Sequence, residues 1–248
     1  MVVTNLITGA TPRILHRNGN PANWRGEWER VVSAFFAEPR PNDRPCADVT
    51  ILTWNSRKEK GLLERCLDWR GVPYVTLGST LESWRNCYKI FLTADALTRV
   101  TSPYVMALDA DDVLVVSTLD DILETYRGFN CEMVFGAEKQ SWPDVPSLAR
   151  FDRSIAESEY CHLNSGAWIG RTESALRFFR DCQHEDIGEV LKGKTNMTSL
   201  YDDQGLTRMV FRRHHPRVRL DYQCRIFQSL FKVPTSGEVQ IQFTRDAA

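Results

Sequence analysis

The feature that most restricts the fold of this chain is an alternation of short apolar runs with stretches of helical periodicity. The strongest strand candidates are residues 48–54, 72–77, 104–108 and 133–135. Between them, apolar residues recur every three or four positions, as in helices that bury one face. Strand–helix alternation predicts an α/β fold with a mainly parallel sheet and helices on both faces. No internal repeat or linker interrupts residues 1–248, so we expect a single domain.

The remaining elements are predicted from shorter patterns. A short strand is expected at 13–16, and the alternating residues 239–243 are typical of an edge strand or hairpin arm. Apolar periodicity predicts helices around residues 24–36, 62–67, 84–94, from Ser117 onward, around 176–179 and after Asp202. Three prolines within 38–45 should end the first helix. The second half is less regular, with loops expected at 136–153 and a polar stretch to Ser199.

Composition and charge limit the class of protein. With 42% hydrophobic and 25% charged residues, the chain is globular rather than disordered. Its net charge of −1 gives no overall attraction to nucleic acid or to anionic membranes. No apolar run is long enough to span a membrane, and residues 1–9 do not resemble a signal peptide. Seven scattered cysteines favour reduced thiols, so we expect a cytoplasmic protein.

An acidic cluster, Asp109, Asp111 and Asp112, directly follows the predicted buried strand 104–108. Carboxylates that meet where a strand ends repel one another, and a divalent cation relieves this repulsion because hard cations prefer carboxylate oxygens. In open α/β sheets, ligands bind at the carboxyl ends of the strands, where this cluster is expected. Since the cation also attracts phosphate, the cluster predicts a metal–diphosphate site. An acidic, solvated turn before the next helix is the alternative interpretation.

Four further clusters carry polar groups, and each has a structural alternative. Residues 136–138, Gly-Ala-Glu, are compatible with a plain turn after a strand. An Asn-Ser-Gly turn at 164–166 can offer amide, hydroxyl and backbone N–H groups to a polyhydroxyl ligand, or can be purely structural. Residues 202–204, Asp-Asp-Gln, can cap a helix as well as contribute carboxylates. Residues 221–228 do not by themselves predict a function.

Taken in order, these segments resemble the glycosyltransferase domain of the procollagen lysyl hydroxylases and, more distantly, collagen galactosyltransferases and other GT-A enzymes. The resemblance covers about residues 48–231. It depends on the ordered series Thr53, Lys89, 109–112, 136–138, Trp142-Pro143, 163–166, 202–204 and 226–228. It implies a GT-A (nucleotide-diphospho-sugar transferase) fold, which is a mixed, mainly parallel sheet flanked by helices.

The resemblance also implies a metal site. The family pattern of two aspartates spaced Asp-x-x-Asp matches Asp109 and Asp112, while Asp111 satisfies the more general Asp-x-Asp, so the ligating pair is left open. The family closes this site with a histidine in a His-x-Asn-Gly segment near the C-terminus, and none follows Gln228. His16-Arg17-Asn18-Gly19 stands instead after the N-terminal strand, which indicates a circular permutation. The alternative is a histidine in an ordinary Asn-Gly turn. An imidazole ligand favours Mn²⁺, with Mg²⁺ as the second choice.

The resemblance assigns roles to the remaining residues. The expected metal ligands are Asp109, Asp111, Asp112 and His16. The expected donor-binding residues are Thr53 and Trp54 beside the uridine, Lys89, Asp109, Asp111, Asn18 and Gly19 around the diphosphate, and Asn164, Ser165 and Gly166 at the sugar, with Arg17 as a second cation. The expected catalytic residues are Asp202, Asp203 and Trp142. The two aspartates would position the acceptor hydroxyl or stabilise an oxocarbenium-like transition state.

The leading hypothesis is therefore a metal-dependent transferase that moves glucose or galactose from a UDP-sugar to a hydroxyl acceptor, with a weak preference for retention of configuration. The acceptor, a glycan, a protein or a hydroxylated DNA base, is left open, as is the oligomeric state. A basic patch at 208–219 would suit an anionic acceptor or be a solvated helix end.

Three alternative functions compete with this hypothesis. A sugar-1-phosphate nucleotidyltransferase would need a glycine-rich loop, which residues 9–13 match poorly. A phosphatase of the haloacid-dehalogenase type would need a threonine pattern that is absent after Asp111. A non-catalytic module that only binds sugar nucleotides would tolerate the loss of Asp202 and Asp203.

Overall fold

A computed structural model describes residues 1–19, 22–41, 43, 46–185 and 202–243. Its strands, in chain order, are β1 (Val2–Asn5), β2 (Ile14–His16), β3 (Val49–Trp54), β4 (Val75–Leu77), β5 (Tyr104–Asp109), β6 (Val113–Val115), β7 (Met133–Glu138), β8 (His162–Arg171), β9 (Val218–Leu220), β10 (Phe227–Ser229) and β11 (Val239–Gln242). Its α-helices are α1 (Arg25–Ala37), α2 (Leu62–Arg70), α3 (Tyr88–Leu97), α4 (Leu119–Arg127), α5 (Pro146–Ser154), α6 (Thr172–Gln183) and α7 (Asp203–His214).

The central sheet has six strands in the order β4-β3-β5-β8-β7-β9. Strand β8 is antiparallel to both of its neighbours, and the other three pairings are parallel. The prediction of a mixed, mainly parallel GT-A sheet flanked by helices is confirmed. Trp54 pairs with Asp109, so the carboxyl ends of β3 and β5 meet at one edge of the sheet. The acidic cluster therefore lies at the edge where open α/β sheets bind ligands.

A second sheet has three strands, and its middle strand, β2, comes from near the N-terminus. Strand β2 lies between β10, to which it is parallel, and β6, to which it is antiparallel. His16 pairs with Ser229 on one side and with Val113 on the other. The predicted strand at 13–16 is thus confirmed, and it lies beside a strand from the C-terminal half.

Several predicted boundaries in the first half were wrong. The strand predicted at 72–77 is only β4, because Gly71 ends α2 in the left-handed conformation (φ 73°) and the N–H of Val72 still donates to Leu67 of that helix. Helix α3 begins at Tyr88 and excludes Trp84. The cap of α4 is Thr118 rather than Ser117, since Thr118 Oγ1 accepts a hydrogen bond from the N–H of Asp121.

Two predicted irregular regions are regular. Within 136–153, β7 continues to Glu138 and α5 begins with Pro146 at its first position, where the missing N–H costs nothing. The predicted Asn-Ser-Gly turn at 164–166 lies inside β8 instead. The register between β7 and β8 shifts between Phe135 and Gly136, so this part of β8 bulges. A bulge re-aims side chains and tolerates turn-forming residues.

The short strands β1, β6, β9 and β10 were not predicted, whereas the edge strand at 239–243 is confirmed as β11, paired with β1. The predicted polar stretch to Ser199 lies outside the described residues. All seven cysteines are described, and none forms a disulfide. Among the described helices, none combines the length and apolar character needed to cross a bilayer.

Candidate active site

The candidate metal centre consists of His16, Asp109 and Asp112. His16 ends β2, Asp109 ends β5, and Asp112 immediately precedes β6. The Nε2 atom of His16 lies 3.3 Å from Oδ1 of Asp112 and 3.7 Å from Oδ2 of Asp109. One ligand-type atom from each residue lies within 4.8 Å of the other two. Two carboxylates and an imidazole are a donor set that suits a divalent metal ion.

The surroundings of His16 fit this assignment. The side chain is only 2% exposed, and its Nε2 has no hydrogen-bond partner of normal geometry within the part of the chain that the structure describes. Burial disfavours the imidazolium, but the carboxylates of Asp112 and Asp109 outweigh it and raise the pKa of His16. A buried ring nitrogen aimed at two carboxylates is what a metal ligand needs. We conclude that these three residues could hold a metal ion.

Asp111, which was predicted as a metal ligand, does not join this group. Its side chain is 59% exposed and forms an ion pair with Arg57. Its carboxylate is directed toward Arg57, whereas those of Asp109 and Asp112 face His16. The Asp-x-x-Asp pair, rather than Asp-x-Asp, forms the candidate centre.

The polar groups of the turn after β2 are hydrogen-bonded to other groups of the protein. Asn18 and Gly19 both adopt positive φ, 58° and 76°. The N–H of Gly19 donates to Asp112 Oδ2 at 2.7 Å, and Asn18 Nδ2 donates to Glu138. Burial opposes ionisation of Asp112, but His16 and this N–H lower the pKa of its carboxyl. The two amide groups predicted to bind the diphosphate therefore have protein partners. Arg17 likewise donates to the carbonyl of Gly19.

Lys89 supplies the main positive charge beside the candidate centre. Its Nζ lies 2.5 Å from Asp109 Oδ1 and 3.9 Å from Asp203 Oδ2, and it stacks over the ring of Trp54 at 5.2 Å. Burial alone would lower the pKa of Lys89, but the two carboxylates raise it well above its ordinary value. Lys89 is therefore a permanent cation between the metal centre and Asp203.

The side chains of Thr53 and Trp54, predicted to lie beside a uridine, are both buried. The hydroxyl of Thr53 donates to the carbonyl of Leu108, and the indole N–H of Trp54 donates to Thr93. Their polar groups are thus hydrogen-bonded within the core. At the sheet edge, these residues place the end of β3 beside Asp109.

The predicted catalytic residues are brought together at the start of α7. Asp202 is the N-cap, and its carboxylate accepts hydrogen bonds from the backbone N–H of Gln204 and from the indole N–H of Trp142. The capping interpretation of this segment is confirmed for Asp202, and the carboxylate of Asp203 faces Lys89. Burial and the neighbouring charge of Asp203 raise the pKa of Asp202 to about 6. Burial also raises the pKa of Asp203, against the opposing charge of Lys89.

Glu138 and Gln204 link the two halves of the site. Gln204 Nε2 donates to Glu138 Oε1 at 2.6 Å, and Gln204 Oε1 accepts from the N–H of Ser165 at 3.1 Å. Asn164 Oδ1 accepts from the N–H of Gly166. Burial raises the pKa of Glu138 to about 7. In the sequence these residues belong to separate clusters, and no local pattern predicts that they contact one another. Their connection is seen only in the long-range contacts between strands β7 and β8 and helix α7.

The predicted basic patch at 208–219 is only partly neutralised. Arg208 is fully buried and belongs to the interior. Three members of the patch pair with acidic side chains: Arg213 with Glu185, His214 with Asp181, and Arg219 with Glu157. Arg212 and Arg217 are exposed and form no ion pair within the described part of the chain. This surface therefore keeps part of its positive charge.

Comparison with known proteins agrees with this geometry. Residues 70–248 match the family model described as "PLOD GT domain", so the chain belongs to this family of glycosyltransferase domains. It is 29% identical over 126 residues to a procollagen-lysine,2-oxoglutarate 5-dioxygenase of Drosophila melanogaster. It is 28% identical over 126 residues to the "multifunctional procollagen lysine hydroxylase and glycosyltransferase LH3" of Rattus norvegicus. Each match covers 51% of this chain but only 16% of the relative. A further relative, 28% identical over 130 residues, is the uncharacterized protein R699 of Acanthamoeba polyphaga mimivirus, and that match covers 52% of this chain and 25% of the relative.

Proposed function

We propose that this protein is a metal-dependent glycosyltransferase that moves a hexose, glucose or galactose, from a UDP-sugar to a hydroxyl acceptor. The observation that carries the proposal is the group formed by His16, Asp109 and Asp112, with Lys89 beside it. Membership of the PLOD GT domain family supports the reaction class.

A bound Mn²⁺ or Mg²⁺ would act as a Lewis acid on the diphosphate leaving group. The protein's own residues account for the remaining requirements. The permanent cation Lys89 would stabilise the negative charge that develops as the anomeric C–O bond breaks. Asp202 and Asp203 would position the acceptor hydroxyl or stabilise positive charge on the sugar ring. In this proposal Asn164 and Ser165 contact the sugar.

The proposal includes the predicted circular permutation. A histidine that related domains carry near their C-terminal end would here be His16, near the N-terminal end. The parallel pairing of β2 with β10 supports this idea, because it sets the N-terminal strand next to a strand from the C-terminal half. Moving such a strand from one end of the chain to the other leaves its neighbours in space unchanged.

Incubation with UDP-glucose or UDP-galactose and Mn²⁺ tests the proposal. We expect UDP release, slow by hydrolysis alone and faster with an acceptor, and no release after EDTA treatment. A nucleotidyltransferase would instead release pyrophosphate from UTP and a sugar 1-phosphate, and a binding module would bind UDP-sugar without turnover. Absence of UDP release from any UDP-hexose, with or without candidate acceptors, would contradict the proposal.

A further inference from the structure

Arg208 on α7 makes a buried ion pair. It is fully buried, and its guanidinium lies 2.5 Å from Oδ2 of Asp152, a carboxylate on α5 that is also fully buried. The same oxygen is 2.9 Å from Nδ1 of His162. Within the described part of the chain, Arg208 Nε and Asp152 Oδ1 have no hydrogen-bond partner. Desolvating both charges costs about as much as their attraction returns, so such a pair adds little net stability. A function other than stability is therefore to be sought.

The rest of the guanidinium binds one short segment between β7 and α5. One terminal nitrogen donates to the carbonyl oxygens of Trp142 at 3.0 Å and Pro143 at 2.8 Å. The other donates to Ser141 Oγ at 3.0 Å. A planar guanidinium can reach these acceptors and the carboxylate together, which a single ammonium group cannot do. Three consecutive residues are thus fixed by one buried side chain.

This segment presents Trp142 to the candidate active site. The indole is 44% exposed, and its N–H donates to the carboxylate of Asp202. Trp142 is therefore held at two points, its carbonyl by Arg208 and also by Gln204 Nε2 at 3.0 Å, and its ring by Asp202. We propose that Arg208, anchored by Asp152, is a positioning residue that holds the Trp142 indole against Asp202 and so fixes the acceptor side of the active site. This inference rests on the proposed glycosyltransferase function.

The test uses Arg208→Lys, which keeps the charge beside Asp152 but not the planar fork. The matched control is Arg212→Lys, one turn further along α7, where the exposed guanidinium only stacks on Phe151. We expect Arg208→Lys to bind UDP and Mn²⁺ like the parent in calorimetry. Its kcat for transfer should fall by about tenfold or more, because small misplacements of positioning groups are costly. KM for the donor should stay unchanged.

A second readout does not depend on activity. Acrylamide quenching of the Trp142 fluorescence, isolated by subtracting the matching Trp142→Phe variant, should increase in Arg208→Lys and not in Arg212→Lys. If Arg208→Lys fails to fold, Asp152→Asn, which keeps the shape of the anchor, should produce the same two changes. Unchanged quenching and unchanged kcat in a folded variant would overturn the inference. If the parent shows no transfer, the proposed function fails, while the quenching result still decides whether Arg208 positions Trp142.

Discussion

Gly166 lies so close to Asp109 that no side chain fits between them. A Cβ added to Gly166 would lie 2.8 Å from Cγ of Asp109, nearer still to its Oδ2, and 2.8 Å from Cε1 of His16. The bulge in β8 brings the backbone of Gly166 against the candidate metal centre. Glycine is thus required here by close approach, not by a turn.

Gly166→Ala should weaken Mn²⁺ binding, because the added methyl group must displace the carboxylate of Asp109 or the ring of His16. Overpacking costs about 1–3 kcal/mol, which corresponds to roughly 5- to 150-fold in affinity if the whole cost falls on metal binding. Gly136→Ala on β7 is the control, since its added Cβ would meet only ordinary contacts, the nearest at 3.4 Å. Titration calorimetry with Mn²⁺ and UDP measures both. Equal affinities in the two variants would contradict this prediction.

The three aspartates of the acidic cluster should differ in effect. Asp109→Asn and Asp112→Asn should each abolish metal-dependent UDP binding, because each removes a negative oxygen ligand that faces His16. Asp111→Asn is the matched control in the same loop, and its only loss should be an exposed ion pair with Arg57, worth about 0–1 kcal/mol. A thermal-shift assay with Mn²⁺ and UDP distinguishes them. Loss of binding in Asp111→Asn would restore that residue to the metal site.

His16→Ala should weaken Mn²⁺ binding and lower transfer activity, but less than either aspartate change. A neutral imidazole contributes a ligand without neutralising the charge of the ion. His184→Ala, at an exposed position, is the control and should behave like the parent. Electron paramagnetic resonance of bound Mn²⁺ measures affinity and reports loss of a nitrogen ligand. An unchanged spectrum in His16→Ala would remove His16 from the site and leave the aspartates in place.

Asp203→Asn should spare UDP binding and depress turnover by about 10²–10⁴-fold, the usual contribution of a positioned acid or base. Asp203 pairs with Lys89 and is not one of the three candidate metal ligands, so its loss should leave those ligands in place. Asp120→Asn provides a matched control, because Asp120 is an exposed aspartate in the first turn of α4. Calorimetry for binding and UDP release for turnover are measured together. A parallel loss of both in Asp203→Asn would mean that the residue is structural.

Asp221 should make stability depend on pH. Burial raises the pKa of this carboxyl to about 6, although three backbone N–H groups of residues 225–227 donate to it. The folded protein therefore holds this proton more tightly than the unfolded chain, in which the pKa of an aspartate is about 3.9. The contribution of Asp221 to the free energy of unfolding should then fall by about 3 kcal/mol as the pH rises from about 4 to 6. Above about pH 6 this contribution should stay constant. In urea denaturation Asp221→Asn should show a shallower slope than the parent, since Glu138 and Asp202, whose pKa values are also raised, still contribute. An identical slope in both proteins would refute the assignment.

The parts of the fold that could be predicted are those with strong local signals. Strands β3 and β5 are continuous apolar runs, because both faces of a largely parallel sheet are covered. The Asp-x-x-Asp spacing and the histidine at the end of β2 pointed to the three residues that the structure brings together. These signals are carried by single segments and need no knowledge of distant contacts.

The remaining parts depend on contacts between distant segments. Strands of three residues such as β6 and β10 depend on long-range contacts, including their pairing with β2, so their own sequences give little indication. Asn164, Ser165 and Gly166 are common in turns, and they lie in a strand because the bulge opposite β7 accommodates them. The outward orientation of Asp111 likewise follows from its pairing with Arg57, far away along the chain.

The central place of β2 has a consequence for how the protein matures. This strand is held between β6, from the middle of the chain, and β10, from near the end of its described part. Contacts between such distant segments form slowly, since a long loop must close before they are made. A partly folded chain would possess the two aspartates without the imidazole. Metal and nucleotide would then bind most tightly to molecules that have completed assembly, and they would protect those molecules most strongly from proteolysis.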